Sequence, residues 1–198
     1  MSTFFDNMKK SFADVTISDG NEIDTAEFLE ASESLIKLFD LLDSPAFSVV
    51  QKDMKGNVDK IRERLLAKPI DASTLQKLVL DEKANKTTKA TQGLLWLTRG
   101  LKFTATAIRK NVNNESEELT KSFSDAYSET LSKYHSMMVR PIFKLAMKAV
   151  PYRKDFYAKL GSDAAKVKEQ LLVWLSALEK VVQIIEEFYE SGNYGKGL

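Results

Sequence analysis

Apolar residues recur every three or four positions along most of this chain, and no stretch alternates as a strand would. Phe28, Leu29, Leu35, Ile36, Phe39 and Leu42 form one such series, and Phe47, Val50, Met54, Val58, Ile61 and Leu65 form the next. Stripes of this period are buried by packing helix against helix, which points to an all-α fold. Only 8 Gly and 4 Pro occur among 198 residues, too few for a turn-rich β protein, and all four prolines fall near breaks in the helical pattern.

Those breaks divide the chain. Residues 1–22 lack sustained periodicity and end in the turn cluster Ser18-Asp19-Gly20-Asn21, so they read as a lightly packed N-terminal arm. Residues 23–198 read as a single domain. Within it, Thr25 is the expected N-cap of a helix reaching about Asp43, and Ser44-Pro45 restarts the chain as far as about Ala67, where Pro69 intervenes. A third helix is expected over about Ala72–Lys83, and Thr87 or Thr88 should open a fourth through about Asn111. The spacing predicts a long helix over Glu115–Ser136 and a kink or fresh start at Pro141. That segment ends at Ala149-Val150-Pro151. A short helix then runs to Leu160, with Gly161 as its C-cap, and Ser162 begins a last one ending near Gly192. The total is about eight helices.

Composition removes several kinds of chemistry. No cysteine means no disulfide, thiolate metal site or cysteine nucleophile, and a single histidine cannot build a multi-histidine metal centre. With 29 Lys+Arg against 28 Asp+Glu, the net charge of +1 gives no electrostatic case for nucleic acid. The N-terminus lacks the apolar core of a secretory signal, and no run approaches the roughly 20 apolar residues of a membrane span. A cytoplasmic, soluble, monomeric chain without a cofactor is the expectation, one that meets membranes only from the water side.

Three local patterns could carry chemistry. Asp53, Asn57 and Lys60 fall within a narrow stripe of the second helix, at about 100° per residue, beside the apolar face. Such a trio can hold a polar group at the edge of an apolar cavity. A solvated helix face with an ordinary ion pair is the plainer alternative. Gly56, in the middle of the same helix, suggests close approach of another group. Trp96 lies between Gly93 and Gly100, an arrangement that would let a flat ligand, or another helix, near the indole; a core tryptophan is equally compatible. His135 follows Tyr134. No G-x-S-x-G elbow accompanies it, so a satisfied core histidine stands against a binding role. Asp53 with His135 could also serve as an acid–base pair, although no activated nucleophile or second carboxylate accompanies them.

Taken in order, Asp53-Met-Lys-Gly-Asn57-Val-Asp-Lys60, Trp96-Leu-Thr-Arg-Gly-Leu-Lys-Phe103, Lys133-Tyr134-His135 and Ala149-Val-Pro151-Tyr152-Arg-Lys-Asp155-Phe156 resemble the glycolipid transfer protein family over about residues 25–160. The resemblance implies a two-layer all-α sandwich of about eight helices enclosing an apolar lipid-chain cavity. It also implies a carrier, not an enzyme, that moves one glycosphingolipid at a time between membranes.

By that resemblance Asp53 and Asn57 would bond sugar hydroxyls and the ceramide amide, Lys60 would bond the sugar, Trp96 would stack on the sugar ring, and His135 would meet the amide. Phe39, Phe47, Val50, Phe103, Phe143, Met147, Val150 and Phe156 would line the hydrocarbon sleeve, although a plain core has the same composition. Tyr194, in Asn193-Tyr194, would fold over the cavity. In the related branch that carries ceramide-1-phosphate, arginines stand at the positions of Trp96 and Gln92, so a neutral sugar is the better expectation here. Met137 replaces an interfacial tryptophan of well-studied members, and Met137 with Met138 would form the membrane-docking patch. A glycolipid sensor that signals through a protein partner would use the same site, and a helical interaction module would have no cavity.

Overall fold

A computed structural model describes residues 2–198. Eight α-helices follow one another: α1 (Thr25–Leu38), α2 (Ser48–Ala67), α3 (Leu75–Ala84), α4 (Lys89–Asn113), α5 (Leu119–Glu129), α6 (Arg140–Lys148), α7 (Arg153–Leu160) and α8 (Ala164–Gly192). Among the described residues there is no strand, only the isolated bridges Ile17–Ile23 and Asp24–Thr74. The helices form a two-layer all-α sandwich in which α4 packs against α2, α3, α5 and α8.

Several boundaries differ from the expected ones, each for a local reason. Asp24, not Thr25, caps α1 by accepting from the Glu27 N–H at 2.9 Å. Beyond Leu38 the helix tightens into a 3₁₀ turn, and Asp43 ends it in the left-handed region at φ 49°. Pro45 likewise opens a 3₁₀ turn before α2 begins, with no side-chain cap from Ser44. Thr88 holds the N-cap position of α4, as expected, but its side chain makes no capping bond. The buried Glu82 supplies those bonds from α3, accepting from the N–H groups of Ala90 (3.0 Å) and Thr91 (2.7 Å) and from the Thr91 hydroxyl. The helix expected over Glu115–Ser136 is confined to Leu119–Glu129. Past it, Thr130 and Ser132 hydroxyls bond back to the carbonyls of Ala126 and Ser128, a competition that favours leaving the helix, and a 3₁₀ turn follows at Ser132–Tyr134. Pro141 sits in the first turn of α6, so the chain starts afresh there.

The N-terminal segment is packed, contrary to the light packing expected of it. Phe12 is 2% exposed, with its ring edge-on to Trp174 and to Phe28, and the Phe4 N–H donates to the Leu160 carbonyl at 2.7 Å.

The seam between α2 and α4 fixes the face that carries Asp53, Asn57, Lys60 and Trp96. A Cβ on Gly93 would lie 3.1 Å from Lys60 Cβ and 3.2 Å from the Asn57 carbonyl, and one on Gly100 would meet Met54. The glycines flanking Trp96 therefore admit another helix, not a ligand. Gly56 has nothing within 4 Å of its missing Cβ, so the close approach expected there does not exist.

Candidate functional site

A cavity of about 450 Å³ opens where α2, α4, the turn before α6 and α6 itself converge. It is lined by Val49, Asp53, Asn57 and Lys60 from α2, by Gln92 and Trp96 from α4, and by Tyr134, His135, Ser136, Val139, Ile142 and Phe143. All five polar and aromatic residues singled out for a headgroup and amide meet here, although 82 residues separate Asp53 from His135 in sequence.

Their surroundings leave them free to bond. Asn57 is buried, and its Oδ1 accepts from Lys60 Nζ at 3.3 Å, which leaves the carboxamide N–H groups without a protein acceptor. Asp53 opens to solvent on one side, while protein on the other desolvates its carboxyl and raises it above the ordinary carboxylate range; Lys60 opposes that rise. No described residue hydrogen-bonds the Asp53 carboxylate. The Trp96 ring lies nearly parallel to that of His135, at 11° with centroids 6.0 Å apart, and the Arg99 guanidinium stacks 4.6 Å from its centroid. Arg99 also covers Tyr134 at 3.7 Å, so the tryptophan is backed by a cation–aromatic stack.

His135 is held on three sides. Its Nδ1 lies 3.0 Å from the Tyr127 hydroxyl, its ring tilts against Phe143 at 4.3 Å, and its carbonyl accepts from Arg140 Nε at 3.0 Å. Burial and the Arg140 charge push the imidazole below its usual pKa, so it is neutral at physiological pH. Ser136 is in the same cavity, but its hydroxyl accepts from the Val139 N–H and makes no bond to His135. With a tyrosine on Nδ1 and no serine bonded to the ring, His135 is not part of a nucleophilic triad.

The residues expected to form a hydrocarbon sleeve are packed against one another. Phe39 stacks on Phe47 with centroids 5.5 Å apart. Phe47 meets Phe123 edge-on, Phe123 meets Phe103, and Phe103 meets Tyr127, which stacks on Phe143 at 5.7 Å. This aromatic column leads from the 3₁₀ turn after α1 to His135. Val50, Met147 and Phe156 are also buried, and Val150 is partly so. Phe143 alone of the expected sleeve residues lines the cavity.

Tyr194 lies elsewhere than expected. The chain reverses at Asn193 (φ 55°), and the Tyr194 ring turns back onto Phe188, beside a second cavity bounded by Val79 and Lys83. The ring occupies the space a side chain at Gly192 would need, with the missing Cβ only 2.0 Å from Tyr194 Cζ.

Met137 and Met138 are 84% and 85% exposed, and Ile142 and Leu145 of α6 are exposed as well.

Sequence spacing alone did not reveal Tyr127, Arg140, Val49 or Val139 as part of the site. Val49 sits one turn before Asp53, so helical periodicity could have found it. Tyr127 carries no such signal, because the chain leaves the helix between it and His135.

An all-helical fold with one concave site pairing a carboxylate, a carboxamide, an indole and an imidazole defines a ligand-binding protein. The model of the glycolipid transfer protein family matches residues 23–162. The chain is 56% identical over 189 residues to a glycolipid transfer protein of Aureobasidium melanogenum, covering 96% of this chain and 94% of that one. It is also similar to the crystal structure of HET-C2, a fungal glycolipid transfer protein, with a TM-score of 0.92 at 53% identity over 95% and 97% of the two chains. The structure describing how FAPP2 selects simple glycosphingolipids using the same fold gives a TM-score of 0.88 at 31% identity, covering 98% of this chain and 97% of the other. The protein belongs to the glycolipid transfer protein family.

Proposed function

We propose that this protein carries single glycosphingolipid molecules between membranes, holding the headgroup and ceramide amide in the cavity between α2, α4 and α6. The observation that supports this most is the convergence of Asp53, Asn57, Lys60, Trp96 and His135 on one concavity. A pyranose offers hydroxyls at its rim and C–H groups on its face. Asp53, Asn57 and Lys60 supply acceptors and donors for the rim and the adjoining amide, and Trp96 supplies a flat wall. The ceramide amide adds one N–H and one C=O, suited to Asp53 and His135.

Charge favours a neutral headgroup. Lys60 is the one cationic residue among those lining the cavity, and Asp53 offsets it. A phosphate would find no second cation there, since Arg99 is occupied behind Trp96.

The tails enter by parting the aromatic column that begins at Phe143, each buried CH₂ contributing about 0.8 kcal/mol. Met137, Met138, Ile142 and Leu145 form the transient docking surface at the cavity rim. Residues 23–198 act as the lipid-binding domain, with 2–22 clasped onto it, and the protein works as a cytoplasmic monomer without covalent chemistry on the lipid.

Transfer of fluorescent galactosylceramide between vesicles, with fluorescent ceramide-1-phosphate alongside, tests the proposal. Galactosylceramide should move and the phosphate lipid should not. Movement of the phosphate lipid alone would overturn the headgroup assignment, and movement of neither would overturn the carrier.

A further inference from the structure

We infer that Tyr127 is a positioning residue that locks the neutral His135 imidazole in its Nε2–H tautomer, so that His135 faces the cavity as a hydrogen-bond donor. The inference rests on the carrier reading for its ligand, but not for its geometry.

The Tyr127 side chain is 1% exposed and its hydroxyl lies 3.0 Å from His135 Nδ1. No other described residue accepts from that hydroxyl. Two arrangements are open to the pair. If Nδ1 carried the proton it would donate to the tyrosine oxygen, and the phenolic hydrogen would be left buried without an acceptor, which is costly. If the tyrosine donates to Nδ1, both groups are satisfied and the ring proton must sit on Nε2. The second arrangement leaves no unpaired buried group.

The frame around the pair prevents the ring from turning to another partner. Tyr127 is stacked on Phe143 at 5.7 Å and 11°, and Phe143 presses on the imidazole at 4.3 Å. Arg140 Nε donates to the carbonyls of both Ser132 and His135, fixing the short turn that carries the histidine. Depression of the imidazole pKa by burial and by Arg140 keeps the ring neutral, the only state in which a tautomer is defined.

The consequence is a matched pair of opposite polarity. Asp53 can only accept when ionised, and His135 can then only donate. A secondary amide has one donor and one acceptor, so it satisfies both. In the opposite tautomer two acceptors would face the amide, and its carbonyl would go unpaired.

His135 is the only histidine in the chain, so ¹⁵N-histidine labelling yields a single imidazole. Nitrogen chemical shifts of the lipid-free wild type near neutral pH should show a protonated Nε2 and an unprotonated, hydrogen-bonded Nδ1. A protonated Nδ1 would overturn the inference. In Tyr127→Phe the Nδ1 resonance should move and the second tautomer should appear, while galactosylceramide affinity falls about fivefold. Unchanged nitrogen shifts in that variant would equally overturn it. Should Tyr127→Phe fail to fold, the wild-type shifts still decide. Failure of wild type to take up galactosylceramide would overturn the carrier reading and leave the nitrogen spectrum to judge the tautomer separately.

Discussion

The two ends of the binding region are built on opposite terms. At the cavity, polar groups are held by backbone and ring contacts but left without partners: the Asp53 carboxylate has none among the described residues, and the Asn57 N–H groups have no protein acceptor. Along the expected sleeve, Phe39, Phe47, Phe103 and Phe123 satisfy one another ring to ring at 5.5–6.0 Å. Unpaired polar groups are tolerable beside water, whereas an open apolar sleeve would lose dispersion contacts along its whole length. Recognition can therefore be built in advance, while space for the tails must be made as they arrive.

The sharpest break of that comparison is Phe47→Ala. Phe47 is fully buried, and its loss should cost about 3–5 kcal/mol of stability, read by chemical denaturation. A much smaller loss would mean the sleeve is already loosely packed. Asp53→Val should do the reverse. It should leave the denaturation midpoint close to wild type but weaken glycolipid binding about 5- to 150-fold, the range set by about 1–3 kcal/mol for an unpaired amide N–H. Vesicle-transfer rates of the two variants, set beside their stabilities, separate the two ends.

Gly93→Ala probes how firmly the cavity is preset. Its Cβ would press on the Asn57 carbonyl and Lys60 Cβ, overpacking worth about 1–3 kcal/mol, and should displace the two residues enough to weaken binding. Acidification acts on the same side. Because binding needs ionised Asp53 and desolvation raises that carboxyl, affinity should begin to fall at a higher pH than for an ordinary carboxylate of about 3.9, as a pH series of equilibrium binding would show. The smallest effect belongs to Gly56→Ala. With nothing within 4 Å and a helical backbone, it should stabilise by up to about 1 kcal/mol and leave transfer unchanged.

Much of this was legible in the sequence because helices repeat. The stripe Asp53, Asn57, Lys60 follows from the 3.6-residue period, and the resemblance that joined it to Trp96 and His135 rests on four short segments in register. Periodicity failed where side chains compete with the backbone. Thr130 and Ser132 end α5 early, the bonds that cap α4 come from Glu82 on a neighbouring helix although Thr88 starts it as expected, and Asp24 takes the cap expected of Thr25. It also could not say what a glycine faces: Gly93 meets a helix and Gly56 meets solvent. Tyr194 was misplaced for a related reason, since a single left-handed residue, Asn193, decides the direction of everything after it. Tyr127 and Arg140 matter only through contacts with one turn, and no spacing announces such contacts.

Native mass spectrometry of the protein after incubation with vesicles containing galactosylceramide measures the central claim most directly. Wild type should emerge with one intact glycolipid bound per chain, and Asp53→Val and Trp96→Ala should emerge largely free of it. Equal loading of all three, a lipid returned in hydrolysed form, or no bound lipid on wild type would contradict a carrier that holds its cargo through this cavity.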